Sequence, residues 1–123
     1  MGYTQTAGKE AEDLACRYLK QQGLRLLERN FNTRFGEIDL IMRDRDTTVF
    51  VEVRYRKHSD IVDPLSSIDQ RKQLKLIRTA RYYLQQQPNS AFVPARFDVI
   101  AITEQGEQQQ IQWIKNAFEA QGS

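Results

Sequence analysis

The chain has 123 residues, 40% of them hydrophobic, and carries 18 Lys and Arg against 16 Asp and Glu for a net charge of +2. That length supports one real hydrophobic core and is short for two domains, and so small a net charge makes no claim for nucleic acid; only local clustering can. A single cysteine, Cys16, and a single histidine, His58, exclude an internal disulfide, a cysteine-rich zinc site and any multi-histidine metal centre.

The first ten residues contain no apolar h-region, and no stretch approaches the roughly 20 apolar residues that span a bilayer. The expectation is a cytoplasmic protein with no membrane partner. From about Gly8 to Gln22, the residues Ala11, Leu14, Ala15, Tyr18 and Leu19 recur at helical spacing, and Gly23 supplies a stop. Cys16 falls inside this pattern, where a buried thiol is the simplest reading. Glu12 lies about 20° around the helix from Leu19. There it either leans over the sheet or is a surface carboxylate favoured by the dipole of the first turn.

Leu24 to Asn30 reads as a first strand with imperfect alternation. Two further β-type segments follow, Gly36 to Ile41 and Val49 to Arg54, joined by the polar loop from Arg43 to Thr48. A hairpin centred between Arg45 and Asp46 sets Asp39 opposite Glu52. Ile38, Leu40 and Met42 then face Val53, Val51 and Val49 as an apolar surface, while Glu37, Asp39 and Ile41 face Arg54, Glu52 and Phe50. Like charges on cross-strand neighbours destabilise a sheet. Something should offset the repulsion between Asp39 and Glu52, and a divalent cation is the simplest candidate.

His58 to Ser67, with Pro64 and several serines, reads as a loop, and Ser67 to Gln87 as a second helix ended by Pro88. On its wheel Lys75, Arg78 and Tyr82 fall within about 40° of Arg71, with Leu76, Ile77, Ala80 and Leu84 on the far side. The basic stripe is either a phosphate-contacting surface or a solvated charged face. Lys72 sits at the boundary between the stripes and Gln73 on the apolar side, from where both could reach a site on the sheet. Arg96 to Ile102 is another strand and Ile111 to Ile114 a short last one, with a loose tail beyond Phe118. Asp98 shares a face with Ile100 and Ile102, as a strand-end cap or a further acid near the site. Tyr55, Arg56, Lys57 and His58 interleave an aromatic with basic groups. They mark a path for a DNA backbone or a strand end charged against edge pairing. The order is α-β-β-β-α-β with room for one more strand, an α/β fold in a single domain over residues 1–123 with an ordered core from about 8 to 116.

Helical Glu12, then Gly36-Glu37-Ile38-Asp39, then Glu52-Val53-Arg54 resembles the motif of the PD-(D/E)XK nuclease superfamily, an acid followed by (D/E)-X-K. More closely, Glu12-Asp13-Leu14-Ala15, Asn30-Phe31, Gly36 to Ile41, Phe50-Val51-Glu52-Val53, Lys72 and Arg96-Phe97-Asp98-Val99 resemble the YraN family of small bacterial proteins. That family is similar in fold to archaeal Holliday-junction resolvases, and the likeness spans roughly residues 8–102. The resemblance implies a restriction-endonuclease-like αβββαβ core, a mixed sheet flanked by helices. It further implies Mg²⁺ or Mn²⁺ held by Asp39, Glu52 and Glu12 with the carbonyl of Val53, DNA as partner, and hydrolysis of phosphodiesters in DNA that is branched or damaged. Resolvases of related fold act as dimers, so a homodimer is compatible with it.

Arg54 departs from the motif, which has lysine there. Its pKa is too high for a base, so it either clamps the scissile phosphate or pairs with Glu37 across the strands. Lys72 would then supply the missing ammonium. The expected catalytic set is Asp39, Glu52, Arg54 and Lys72, with nucleic-acid contacts from Arg56, Lys57, Arg71, Lys75 and Arg78, and Glu37, Gln73 and Asp98 in a supporting rank. The alternative is a nuclease fold that lost turnover with the lysine and serves as a nucleic-acid-binding or interaction module.

Overall fold

The structure, a computed structural model, describes residues 2–57, 63–88 and 93–119, with side chains from residue 8 onward. In chain order it contains helix α1 (Gly2–Gln21), strands β1 (Arg25–Thr33), β2 (Gly36–Asp44) and β3 (Thr47–Lys57), a 3-10 turn (Pro64–Ser67), helix α2 (Gln70–Gln85), and strands β4 (Ala95–Gln105) and β5 (Gln108–Phe118). The strands form one sheet in the order β1-β2-β3-β4-β5. Only the β3–β4 pair is parallel. A parallel pair needs a crossover, and the 3-10 turn and α2 supply it. The expected α/β core with a mixed sheet and flanking helices is what the chain adopts.

Each face of the sheet carries one helix. Ala11, Ala15, Cys16 and Leu19 of α1 close over Leu40, Met42, Val49, Val51, Ile100 and Ile102. On the other face Leu76, Ile77, Ala80 and Tyr83 of α2 close over Ile38, Ile41, Phe50, Phe97 and Val99. Strands covered on both sides read as nearly continuous apolar runs, which is why Leu40-Ile41-Met42 and Val49-Phe50-Val51 contain no polar residue.

The hairpin register is as expected from Leu40 opposite Val51 to Asp44 opposite Thr47, with the turn at Arg45 and Asp46. It ends one step short of the acids. No Asp39–Glu52 rung forms, and Ile38 is buried with Ile41 and Phe50 under α2, not with Leu40 as its sequence parity requires. Across from this break, between the Arg29–Leu40 and Phe31–Ile38 pairs of β1 and β2, Asn30 adopts φ 51°. A left-handed residue interrupts the alternation that a period-2 reading assumes.

Several boundaries also move. Helix α2 starts at Gln70, not Ser67, because Asp69 caps it by accepting the Lys72 N–H at 2.9 Å. Residues 58–62 of the expected loop lie outside the described residues, and its end is the 3-10 turn. Strand β5 is longer than Ile111 to Ile114, since Phe118 stacks on Phe97 with centroids 4.8 Å apart.

Gly36 seats the β1–β2 hairpin against α2. Its φ is 158°, and a Cβ there would stand 3.3 Å from Thr79 Oγ1 and 3.6 Å from Lys75 Cβ. Gly36→Ala is expected to cost about 1–3 kcal/mol in a denaturant melt.

Candidate functional site

The break in β2 shapes the site. Where the ladder to β3 stops, the Asp39 carboxylate turns inward and its Oδ2 accepts the Val53 N–H at 2.8 Å, replacing the lost rung. Burial and then the charge of Glu52 push the Asp39 carboxyl up to about 8. The Val53 hydrogen bond works against them, and Glu12 and Glu37 add smaller upward pushes. The four acids therefore surround one region, although among the described residues no three of them close on a single point as a metal cage.

Glu52 follows Val51 on β3 and so faces α2, only 7% exposed. Lys72 Nζ reaches its Oε2 at 2.9 Å, and an Arg54 guanidinium nitrogen stands 3.5 Å from the same oxygen. Of the two readings of Arg54, the pair with Glu37 is replaced by this contact and by a hydrogen bond from Arg54 to the Ser67 carbonyl at 3.1 Å. Both contacts use one terminal nitrogen of the guanidinium, and its buried Nε has no hydrogen-bond partner among the described residues.

On the other side Glu12 does lean from α1 toward the acids. Arg29 bridges it at 3.6 Å to Asp13 at 2.8 Å. Asn30, with its amide nitrogen turned to the carboxylates, donates to Glu12 Oε1 at 3.1 Å and to Glu37 Oε2 at 3.2 Å.

Above the acids opens a cleft of about 410 Å³, whose wall is the first turns of α2 with Arg71, Lys72 and Lys75 and whose floor holds Glu37, Asp39 and Glu52. Arg78 lies one turn further along the helix, exposed. Arg56 and Lys57 end β3 opposite Thr103 and Glu104, away from the cleft's lining, and His58 lies outside the described residues.

Two supporting residues do not join the site. Gln73 donates to the Ile68 carbonyl at 3.1 Å, completing the entry to α2. Asp98 lies beside Val51, on the α1 face and across the sheet from Glu52. It accepts from Arg96 Nε at 3.0 and 3.2 Å, Trp113 Nε1 at 2.9 Å and the Asn116 N–H at 2.9 Å, and Arg96 also bridges to Asp44 at 3.0 Å. These bonds make it a pin between β4 and β5.

Sequence reasoning missed Asn30, Ser67 and Gly36 as site residues. Asn30 had a usable signal, because asparagine inside a strand is the residue that tolerates a left-handed backbone. The Ser67 contribution is a backbone carbonyl and leaves no trace in residue type.

Residues 11–102 match the profile of the "Uncharacterised protein family UPF0102". Among similar proteins, a UPF0102 protein of Stutzerimonas stutzeri is 52% identical over 120 residues, covering 98% of this chain and all of that one. Another from Pseudomonas entomophila is 54% identical over 114 residues, covering 92% and 93%. A third from Coxiella burnetii is 47% identical over 118 residues, covering 96% of each.

Proposed function

The chain belongs to the UPF0102 family, the YraN group its motifs resemble, and we propose that it hydrolyses phosphodiesters in DNA, branched or damaged DNA included, with a divalent cation. One observation carries the reading. Asp39 and Glu52 are drawn together at the floor of a cleft walled by Arg71, Lys72 and Lys75.

The donor set fits Mg²⁺ or Mn²⁺. Mg²⁺ keeps several waters and binds through one or two carboxylates plus substrate phosphate oxygens, so a three-acid cage is not required. Asp39 and Glu52 would hold the ion, with Glu12 and Glu37 adding negative charge nearby. When bound, it would activate a water and neutralise the phosphate.

The chain's own groups do the rest. Arg71 and Lys75 bind the polyanion along the cleft wall, and Arg54 fixes the 3-10 turn and Glu52 in place. Lys72 holds a proton on Nζ beside the acids. From there it can orient a water or a phosphate oxygen, the task of the lysine that the motif strand lacks. Water adds across the P–O bond, its oxygen to phosphorus and one proton to the leaving alkoxide.

Strand cleavage of labelled duplex, flapped and four-way DNA in Mg²⁺ and Mn²⁺ tests the reading. Cleavage that Glu52→Gln abolishes with the fold intact is the expected result. Lys72→Ala is expected to lower kcat by roughly 10²–10³-fold, the loss typical of removing one preorganised hydrogen-bond donor. A second reading, a binding module without turnover, draws on a specific feature: Lys72 and Arg54 already neutralise Glu52. It expects salt-sensitive DNA binding through Arg71 and Lys75 that ignores metal.

A further inference from the structure

The basic stripe of α2 ends in an aromatic patch that the cleft chemistry does not use. Arg71, Lys75, Arg78 and Tyr82 follow one another three or four residues apart on one line of the helix, all exposed. Tyr82 is 42% exposed. Its ring lies 6.3 Å from that of Phe35 at 60° and 6.3 Å from that of Phe31 at 33°. The Arg34 guanidinium sits over the Phe35 ring, 5.1 Å from its centroid.

Core packing does not call for this arrangement. The adjacent Tyr83 already fills the space between sheet and helix, edge-on to Phe31 at 5.3 Å and to Phe50 at 6.0 Å. Tyr82 leaves nearly half of an aromatic side chain in water instead. Phe35 is next to Gly36, which lines the acidic cleft, so the patch adjoins the site along both the hairpin and the helix.

We infer that Tyr82 and Phe35, with the Arg34 guanidinium, form a stacking platform for an unpaired nucleobase of a strand whose phosphates follow Arg78, Lys75 and Arg71 into the cleft. This rests on the DNA reading and deepens it by naming the substrate class: DNA with a single-stranded or splayed segment beside the cut. Every base has a π-face, so stacking on aromatic and guanidinium planes accepts any sequence. Arg78 stands about one helical turn, or roughly 5 Å, from Tyr82, a short step from base to backbone. In continuous duplex each base is stacked on its neighbours and offers the platform nothing. Arg34 on the hairpin and Arg78 on the helix put cations on both sides of the rings, which matches a polyanion.

The test uses wild-type protein in EDTA, to prevent cleavage, with a blunt duplex and the same duplex carrying a short single-stranded overhang labelled with 2-aminopurine. Tighter binding of the overhang and quenching of the 2-aminopurine are expected. Tyr82→Ala should weaken overhang binding roughly 5- to 150-fold, the range for losing one base–aromatic stack, and remove the quench. Tyr82→Phe should keep both, and Arg78→Ala should weaken both DNAs alike. Equal binding of blunt and overhang DNA, untouched by Tyr82→Ala, would overturn the platform and leave the DNA reading standing. Binding of neither DNA would overturn both.

Discussion

Asp39→Asn is expected to make the fold more stable above pH 8 while abolishing cation binding. The carboxyl sits at about 8 in the fold against an ordinary 3.8. Between those values the folded chain therefore binds more protons than the unfolded one, and stability falls as pH rises. The contribution of the protonated group is fully present below about pH 4 and is lost as pH climbs through about 8. Asparagine keeps the oxygen that accepts the Val53 N–H and carries no charge to lose. Allowing for water in the open cleft, the gain over wild type at pH 9 should be about 1–3 kcal/mol, or roughly 3–12 °C in Tm. The two proteins should converge near pH 4. Melts at a series of pH values check this, and parallel curves would mean that Lys72 and Arg54 already offset the repulsion.

Asp98→Ala should have the largest effect on stability. The carboxylate is 1% exposed and accepts from Arg96, Trp113 and Asn116. Removing it leaves two donors, Trp113 Nε1 and the Asn116 N–H, without their acceptor and Arg96 with Asp44 alone, a loss of about 3–5 kcal/mol and a Tm lower by roughly 10 °C or more. Thermal unfolding measures it directly. Because Asp98 lies across the sheet from the cleft, a preparation that remains folded at low temperature should retain its cation affinity. A Tm within a few degrees of wild type would show that the pin carries little of the β4–β5 junction.

Much of this architecture was legible because it rests on period and parity. Leu40, Met42, Val49 and Val51 alternate as one face of the hairpin should, and they do pack together under α1. Lys72 was legible from its place between the two stripes of α2, and it meets Glu52. The same reasoning misplaced Gln73, because a nearer acceptor, the Ile68 carbonyl, takes its amide. Ile38 and the missing Asp39–Glu52 rung were hidden for a different reason. The break falls across from the left-handed Asn30 on another strand, a tertiary neighbour that alternation within β2 does not record. Strand β5 extends beyond its apolar stretch, Ile111 to Ile114, into polar residues such as Gln108, Gln109 and Gln110. It is an edge strand beyond β4, where polar side chains can stay in water without breaking the ladder.

The most direct measurement is calorimetric titration of Mn²⁺ and Mg²⁺ into wild type, Asp39→Asn and Glu52→Gln at pH 7 and pH 8.5. A cation must displace the proton on Asp39, so wild type should bind, and more tightly at the higher pH, while both variants lose binding with their folds intact. Equal binding in all three proteins, or none in folded wild type at either pH, would contradict a cation site at Asp39 and Glu52.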